Sequence, residues 1–259
     1  MRLKQQRGIT LIELMISLTI GLVVLGAASS VYLTTVINSG SSIAASRLNQ
    51  DLMTLMSVMV QDIRRAGYWR DAATDPLKNP FNTVDVTALA VRTSISTPAG
   101  DADSGECILY AYDSSDSGVL DGEDIHGFRL NNGVVQMRLS GDTSNTRHDE
   151  CDDAGGQWED ITDRNLIEIT QLTFDSADPA APSTCLNLRE PDGLDNDGKN
   201  GIDDAKEFDC IETAPAMGDI TVEVRQIAIT MAGVLTGDSD VRVSVRQSVR
   251  VRNDLVRER

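Results

Sequence analysis

Gly8-Ile9-Thr10-Leu11-Ile12-Glu13-Leu14-Met15 opens an apolar run that continues to Ile37 and decides what the rest of the chain can be. Residues 9–33 contain one charged side chain, Glu13. At ~1.5 Å per residue, a helix of that length spans a hydrocarbon core of ~30 Å. Upstream, Arg2, Lys4 and Arg7 stand with no acid among them, which predicts a cytoplasmic N-terminal flank. Two ordinary readings compete. A secretory signal would be cut near Gly26, Ala27 and Ala28, where small residues follow an apolar run. A plain membrane anchor would stay uncut. Glu13 fits neither, because a carboxylate near the bilayer centre costs ~2.5–3.5 kcal/mol on insertion scales, less toward the edge, and calls for a partner. Cleavage after Gly8 would supply one: the α-amino group of Ile9, one helical turn before Glu13 or on a neighbouring subunit.

These residues carry a resemblance. Gly8 followed by Ile-Thr-Leu-Ile-Glu-Leu-Met resembles the prepilin (type III) signal of type IV pilins, pseudopilins and related filament proteins. The resemblance implies that a membrane peptidase cuts after Gly8 and that Ile9 is N-methylated. It also implies that the apolar segment is kept as a filament-core helix, with Glu13 serving assembly. The family most often has Phe after the glycine, where this chain has Ile9. Further on, Asp62-Ile63-Arg64-Arg65-Ala66-Gly67-Tyr68-Trp69 resembles a segment of PilW-type minor pilins. The implied role is a minor pilin that helps initiate a type IV pilus and is incorporated into its priming or tip complex. Implied partners are the prepilin peptidase, the inner-membrane assembly platform, other minor pilins, the major pilin and a large tip adhesin. The implied location is the inner membrane, with the C-terminal domain periplasmic, and then the cell-surface pilus. Two other readings stay open: a GspJ-like minor pseudopilin of type II secretion, and a membrane-tethered calcium-binding adhesion module that never polymerises.

Composition narrows the partners. Forty acidic residues face 23 Lys and Arg, a formal net charge of −17 over 259 residues. Loss of residues 1–8 removes three basic side chains and takes the balance to −20. Such a surface repels nucleic acid and anionic headgroups and suits cations or basic partners. Cys107, Cys151, Cys185 and Cys210 all follow the apolar run, as expected of an exported, oxidised domain. Four cysteines allow three pairings; the sequential one, Cys107 with Cys151 and Cys185 with Cys210, is favoured.

The remaining pattern predicts an α+β chain in which a long helix lies across an antiparallel sheet. Residues 1–8 form a leader, 9–37 the membrane and filament-core helix, 38–69 its amphipathic second half, and 70–259 a β-rich globular domain. The helix is expected over residues 9–66, with bending or fraying near Asn38-Ser39-Gly40. Its second half buries Leu48, Leu52, Leu55, Met56, Met59, Val60 and Ile63 on one face. Asp62, Arg64 and Arg65 read as helix-end ion pairs. Strands are expected within 84–92, at 106–112, on either side of Asn131-Asn132-Gly133, and at 166–174. Two more, 220–231 and 241–251, would pair across 232–240. In the last, Val241, Val243, Val245, Val249 and Val251 alternate with Arg242, Ser244, Arg246, Ser248 and Arg250. That arginine row is read as a solvated face, paired with Glu223, or as a contact for an acidic neighbour. Trp69 and Trp158 are expected to pack between elements.

One stretch suggests inorganic chemistry. Asp192, Asp195, Asp197, Asn200, Asp203 and Asp204 crowd a Gly-rich loop between Cys185 and Cys210. Dense oxygens suit Ca²⁺, which takes 6–8 oxygen ligands at ~2.3–2.6 Å. The pattern resembles Asp-x-Asp-x-Asp-Gly calcium loops. It departs from them at Lys199 and Asn200, and Lys206 stands where a bidentate Glu would be counted from Asp195. A flexible acidic loop is the alternative. Asp113, Asp116, Asp121 and Asp124 read as solvated turns. His126 and His148 lie in polar stretches without a Ser or Cys nucleophile context, so enzyme activity is not expected.

Overall fold

The structure, a computed structural model, describes residues 8–84, 86–93, 102–141, 150–153 and 156–259; Arg2, Lys4, Arg7 and His148 lie outside them. One helix, α1 (Leu11–Ile63), runs through both compact units of the chain, residues 1–47 and 48–259.

In the first unit every residue from Leu11 to Ile37 is exposed, and the span is long and apolar enough to cross a membrane. Ser17, Ser30, Thr34 and Thr35 each donate a hydroxyl to the carbonyl four residues earlier, which hides their polarity within the helix. The helix continues without interruption through residues 38–42.

In the second unit the helix becomes one-sided. Leu48, Leu52, Leu55, Met56, Met59, Val60 and Ile63 are buried, while Asn49, Gln50, Asp51 and Gln61 stay exposed. Twelve strands follow among the described residues. A five-stranded antiparallel sheet has the order β1 (Ala90–Arg92), β3 (Cys107–Ala111), β4 (Ile125–Asn131), β5 (Val134–Gly141), β6 (Gly156–Asp160). A second sheet orders β11 (Asp238–Arg250), β10 (Gln226–Leu235), β7 (Ile167–Asp175) and β2 (Ser104–Gly105). A third orders β12 (Leu255–Glu258), β9 (Ile220–Val224) and β8 (Thr184–Asn187). Ile108, Phe128, Phe174, Ile229 and Met231 are wholly buried with the helix stripe.

The α+β class holds, but the expected single sheet is three. The run at 220–231, expected as one strand, breaks at Arg225. There Val251 donates its backbone N–H to the Arg225 carbonyl, and the pair of chain segments passes from the β10–β11 ladder to the β9–β12 ladder. The connection expected over 232–240 shrinks to Thr236-Gly237, because β10 and β11 extend almost to the turn. The strand expected within 84–92 covers only Ala90–Arg92. The Asn132-Gly133 hairpin forms, with φ of 50° and 81°, the two positive values such a turn requires.

Both disulfides, Cys107–Cys151 and Cys185–Cys210, bridge Cα atoms 6.4 and 5.2 Å apart. In chain-entropy terms, loops of this length are worth about 3–4 kcal/mol each. Trp158 packs against the first bridge, and the buried Arg129 lies 4.3 Å from its ring centroid and donates to the Cys151 carbonyl. Trp69 reaches the Gly118 carbonyl at 3.1 Å.

The helix end is a joint rather than a set of surface ion pairs. Asp62 accepts from the hydroxyls of Tyr110 at 2.5 Å and Tyr112 at 2.8 Å. Burial first, and then the Asp62 charge, pushes both tyrosine pKa values up. Arg65 lies 4.0 Å above the Tyr112 ring, and its ion pair with Asp62 is long at 3.8 Å. Gly67 ends the helix with φ 72°, donates to the Ala111 carbonyl, and has Asn82 where a Cβ would meet it at 2.9 Å. Asp113 and Asp124, expected as solvated, are buried and accept backbone amides from Ser117, Gly118, Ser114 and Asp121.

His126 is likewise not in a polar loop. It lies on β4, buried, stacked on Tyr112 at 4.0 Å, with no hydrogen-bond partner at either ring nitrogen among the described residues. Burial pulls its pKa down to about 4 from 6.5, although Asp62 opposes the shift. Above pH 6.5 the folded and unfolded states both hold it neutral. As pH falls from 6.5 to 4 the unfolded chain takes a proton that the folded chain refuses, so stability drops by up to about 3 kcal/mol. In His126→Phe that component vanishes and the stack survives. Denaturant unfolding at pH 7.5 and 4.5 should show the variant gaining on the natural chain at low pH; a difference independent of pH would contradict this account.

Candidate functional site

Gly8 and Ile9 precede the helix and are exposed. Thr10 caps it: its hydroxyl and its carbonyl accept the Glu13 N–H at 3.3 and 3.1 Å. Glu13 therefore sits in the first helical turn, where unsatisfied amides favour an acid. Its carboxylate makes no hydrogen bond or ion pair among the described residues.

The acidic loop does not converge on one point. Two groups of carboxylates form, Glu190 with Asp192 and Asp203, and Asp195 with Asp197 and Glu207, each with ligand oxygens within 4.8 Å of one another. Of the five aspartates expected to act together, Asp192 and Asp203 fall in one group, Asp195 and Asp197 in the other, and Asp204 in neither. Asn200 and Asp203 adopt φ of 59° and 57°, left-handed values that Asn and Asp tolerate better than most residues.

Glu190 and Glu207 are the members that counting along the sequence misses. Lys206, the twelfth position when Asp195 is counted as the first, is exposed and pairs with Glu212 at 3.3 Å. One residue later Glu207 turns inward, 1% exposed. It accepts the backbone N–H groups of Asn196, Asp197 and Asp204. Glu190 accepts from the Asn196 side chain at 2.7 Å; burial raises its pKa, and the charges of Asp192 and Glu207 add to the rise. One carboxylate oxygen of Asp204 is buried without a hydrogen-bond partner among the described residues. The signal for Glu207 was present as an acid three residues before Cys210, but a fixed ligand spacing passes it by.

The arginine row is also rearranged. Arg242, Arg246 and Arg250 are exposed on β11, and Arg246 pairs with Asp178. Glu223, expected opposite that row, is instead held by Arg257 at 2.6 Å and Arg259 at 2.5 Å.

Comparison with known proteins adds to this geometry. Residues 3–29 match the model of the prokaryotic N-terminal methylation motif, and residues 41–251 match that of prepilin peptidase-dependent protein B. No curated protein and no solved structure matches the chain. The second match spans most of the sequence, with the methylation motif just before it at the start of an exposed apolar helix. The chain is therefore a type IV pilin-like protein and belongs to the prepilin peptidase-dependent protein B family.

Proposed function

We propose that this protein is a minor pilin of the PilW type, a structural subunit that helps initiate a type IV pilus and enters its priming or tip complex. The observation that carries the reading is Glu13: an acid in the first turn of the helix, within its apolar and exposed first half, without a partner among the described residues. The peptidase removes residues 1–8, and the new Ile9 ammonium of one subunit meets Glu13 of another. Partnered in this way, the carboxylate no longer opposes transfer of the helix from lipid into a bundle of sister helices, and the pair sets their register. The partners are the assembly platform, other minor pilins, the major pilin and a tip adhesin.

The acidic loop supplies a second component: it holds Ca²⁺. Support comes from Glu207, a buried carboxylate folded into a group with Asp195 and Asp197, and from the oxygen-only chemistry of both groups. The bridge between Cys185 and Cys210 closes the loop around them.

Three outcomes are expected. Mass spectrometry of the mature chain finds N-methylated Ile9 as its first residue, and any other start removes the filament reading. Glu13→Ala inserts and is cut, yet its incorporation into sheared pili falls at least about tenfold, in line with the ~3–5 kcal/mol lost when one partner of a buried pair is removed; incorporation at the natural level contradicts the pairing. A deletion strain that pilates normally but retains its exoproteins would reassign the chain to a secretion pseudopilus. For the loop, calorimetry of the full chain in detergent should register heat with millimolar Ca²⁺, weakened about tenfold or more in Glu207→Gln. No heat removes calcium from the proposal.

A further inference from the structure

A second unassigned feature lies on the three-stranded sheet and concerns anions rather than cations. Ser183, Thr184, Glu223, Arg225, Arg257 and Arg259 line a cavity of about 160 Å³ beside the Cys185–Cys210 bridge. The register explains the gathering. Glu223 on β9 pairs with Cys185 of β8 on one side and Leu255 of β12 on the other, so side chains of all three strands reach one patch. Arg225 follows β9 where the chain leaves this sheet.

The charges do not balance. Glu223 is engaged by both Arg257 and Arg259 through a single oxygen. Arg225, only 9% exposed, donates one nitrogen to Asn82 at 2.8 Å. Its Nε and Nη1 are buried without a hydrogen-bond partner among the described residues, and so is Nε of Arg257. Asp254 acts electrostatically on Arg225, yet its buried Oδ1 also lacks a hydrogen-bond partner. Three guanidinium groups thus face two carboxylates, in a chain whose net charge is −17. Burial draws Arg225 down to about 10, and burial together with the Arg257 charge lowers Arg259. Both shifts mark cations crowded in a poorly solvated place. A buried guanidinium lacking acceptors is costly unless an anion comes to it.

We propose that this pocket is an oxyanion receptor that takes one carboxylate or phosphate group. Arg257 and Arg259, about a quarter exposed at their side chains, supply the charged donors at the mouth. Ser183, whose hydroxyl is engaged by the Gln226 backbone, and Thr184 also line the cavity, as does the buried Arg225 with its unpartnered donors. A cavity this small suits a single oxyanion group better than a whole drug-sized ligand, whose pockets are typically about 300 Å³ and above. Guanidinium forks suit planar or tetrahedral oxyanions better than chloride. The site stands whether or not the chain polymerises. Its occupant is either a free anion or an acidic side chain presented by a neighbouring subunit, and one experiment separates the two.

The full chain in detergent is titrated calorimetrically with inorganic phosphate and with N-acetylglutamate amide, using N-acetylglutamine amide as the neutral control and chloride to hold ionic strength constant. Millimolar or tighter binding is expected for at least one of the two anions and not for the neutral compound. Phosphate alone identifies a free anion as the source; binding of the glutamate compound identifies a carboxylate side chain. Arg257→Gln and Arg259→Gln, both partly exposed positions, should keep the natural thermal midpoint in chloride and weaken binding at least about tenfold, as loss of a charge-assisted hydrogen bond implies. No heat with either anion overturns the proposal, and so does affinity that survives in both folded variants.

Discussion

Asp62 ties the helix to everything that follows it. A carboxylate at the end of an amphipathic helix would ordinarily face water, where an ion pair with Arg65 would contribute little. Here it accepts two tyrosine hydroxyls from β3 and the residue beyond it, at 2.5 and 2.8 Å. Hydrogen bonds to a charged acceptor are worth ~1.5–3 kcal/mol each, and burial makes their absence costlier still. Arg65 and His126 close on the Tyr112 ring at 4.0 Å each. Gly67 then turns the chain where Asn82 leaves no room for a side chain. Asn82 in turn accepts from Arg225, the residue at which the last two strand pairs change sheets. The helix end, the five-stranded sheet and the sheet crossing thus share one connected polar network.

That network matters for a chain so acidic. With 40 acids against 23 bases, mutual repulsion favours expansion, and the structure counters it by giving carboxylates internal donors. Asp113 and Asp124 organise one loop through backbone amides, and Glu207 does the same in another. The two disulfides close the segments in which repulsion would be greatest. Positive charge is concentrated instead on Arg257 and Arg259 around Glu223, with Arg225 lining the same cavity. A protein can in this way be strongly anionic overall and still hold one place suited to an anion.

The family signal and the packing signal occupy different parts of the helix. Residues 3–29 hold the methylation motif, where all side chains described from Gly8 onward are exposed and the helix is apolar on every face. From Leu48 onward one face is buried and the other is polar. The same element therefore has an unsatisfied surface at one end and a finished core at the other, which is the physical form of a subunit that anchors by its first half and folds by its second.

Much of this was legible in the order of residues. The apolar run with its single acid, the stripe from Leu48 to Ile63, the Asn132-Gly133 turn and the valine alternation of β11 are local patterns, set by periodicity and by turn stereochemistry that neighbours along the chain decide. What residues 48–259 join across long distances was not legible. Nothing adjacent to Asp62 announces Tyr110 and Tyr112; nothing near Arg225 signals a change of sheet; and the aspartates of the loop could not be sorted into two groups with Glu190 and Glu207 until the backbone had turned them. His126 was expected in a polar loop because Asp121, Glu123 and Asp124 precede it, whereas it is buried on β4 and stacked on Tyr112. The sequence determined where the helix is apolar, where it is amphipathic and where the methylation motif lies. Tertiary structure decided which charges are buried and with whom, because a charge's environment is set by groups that close on it only after folding.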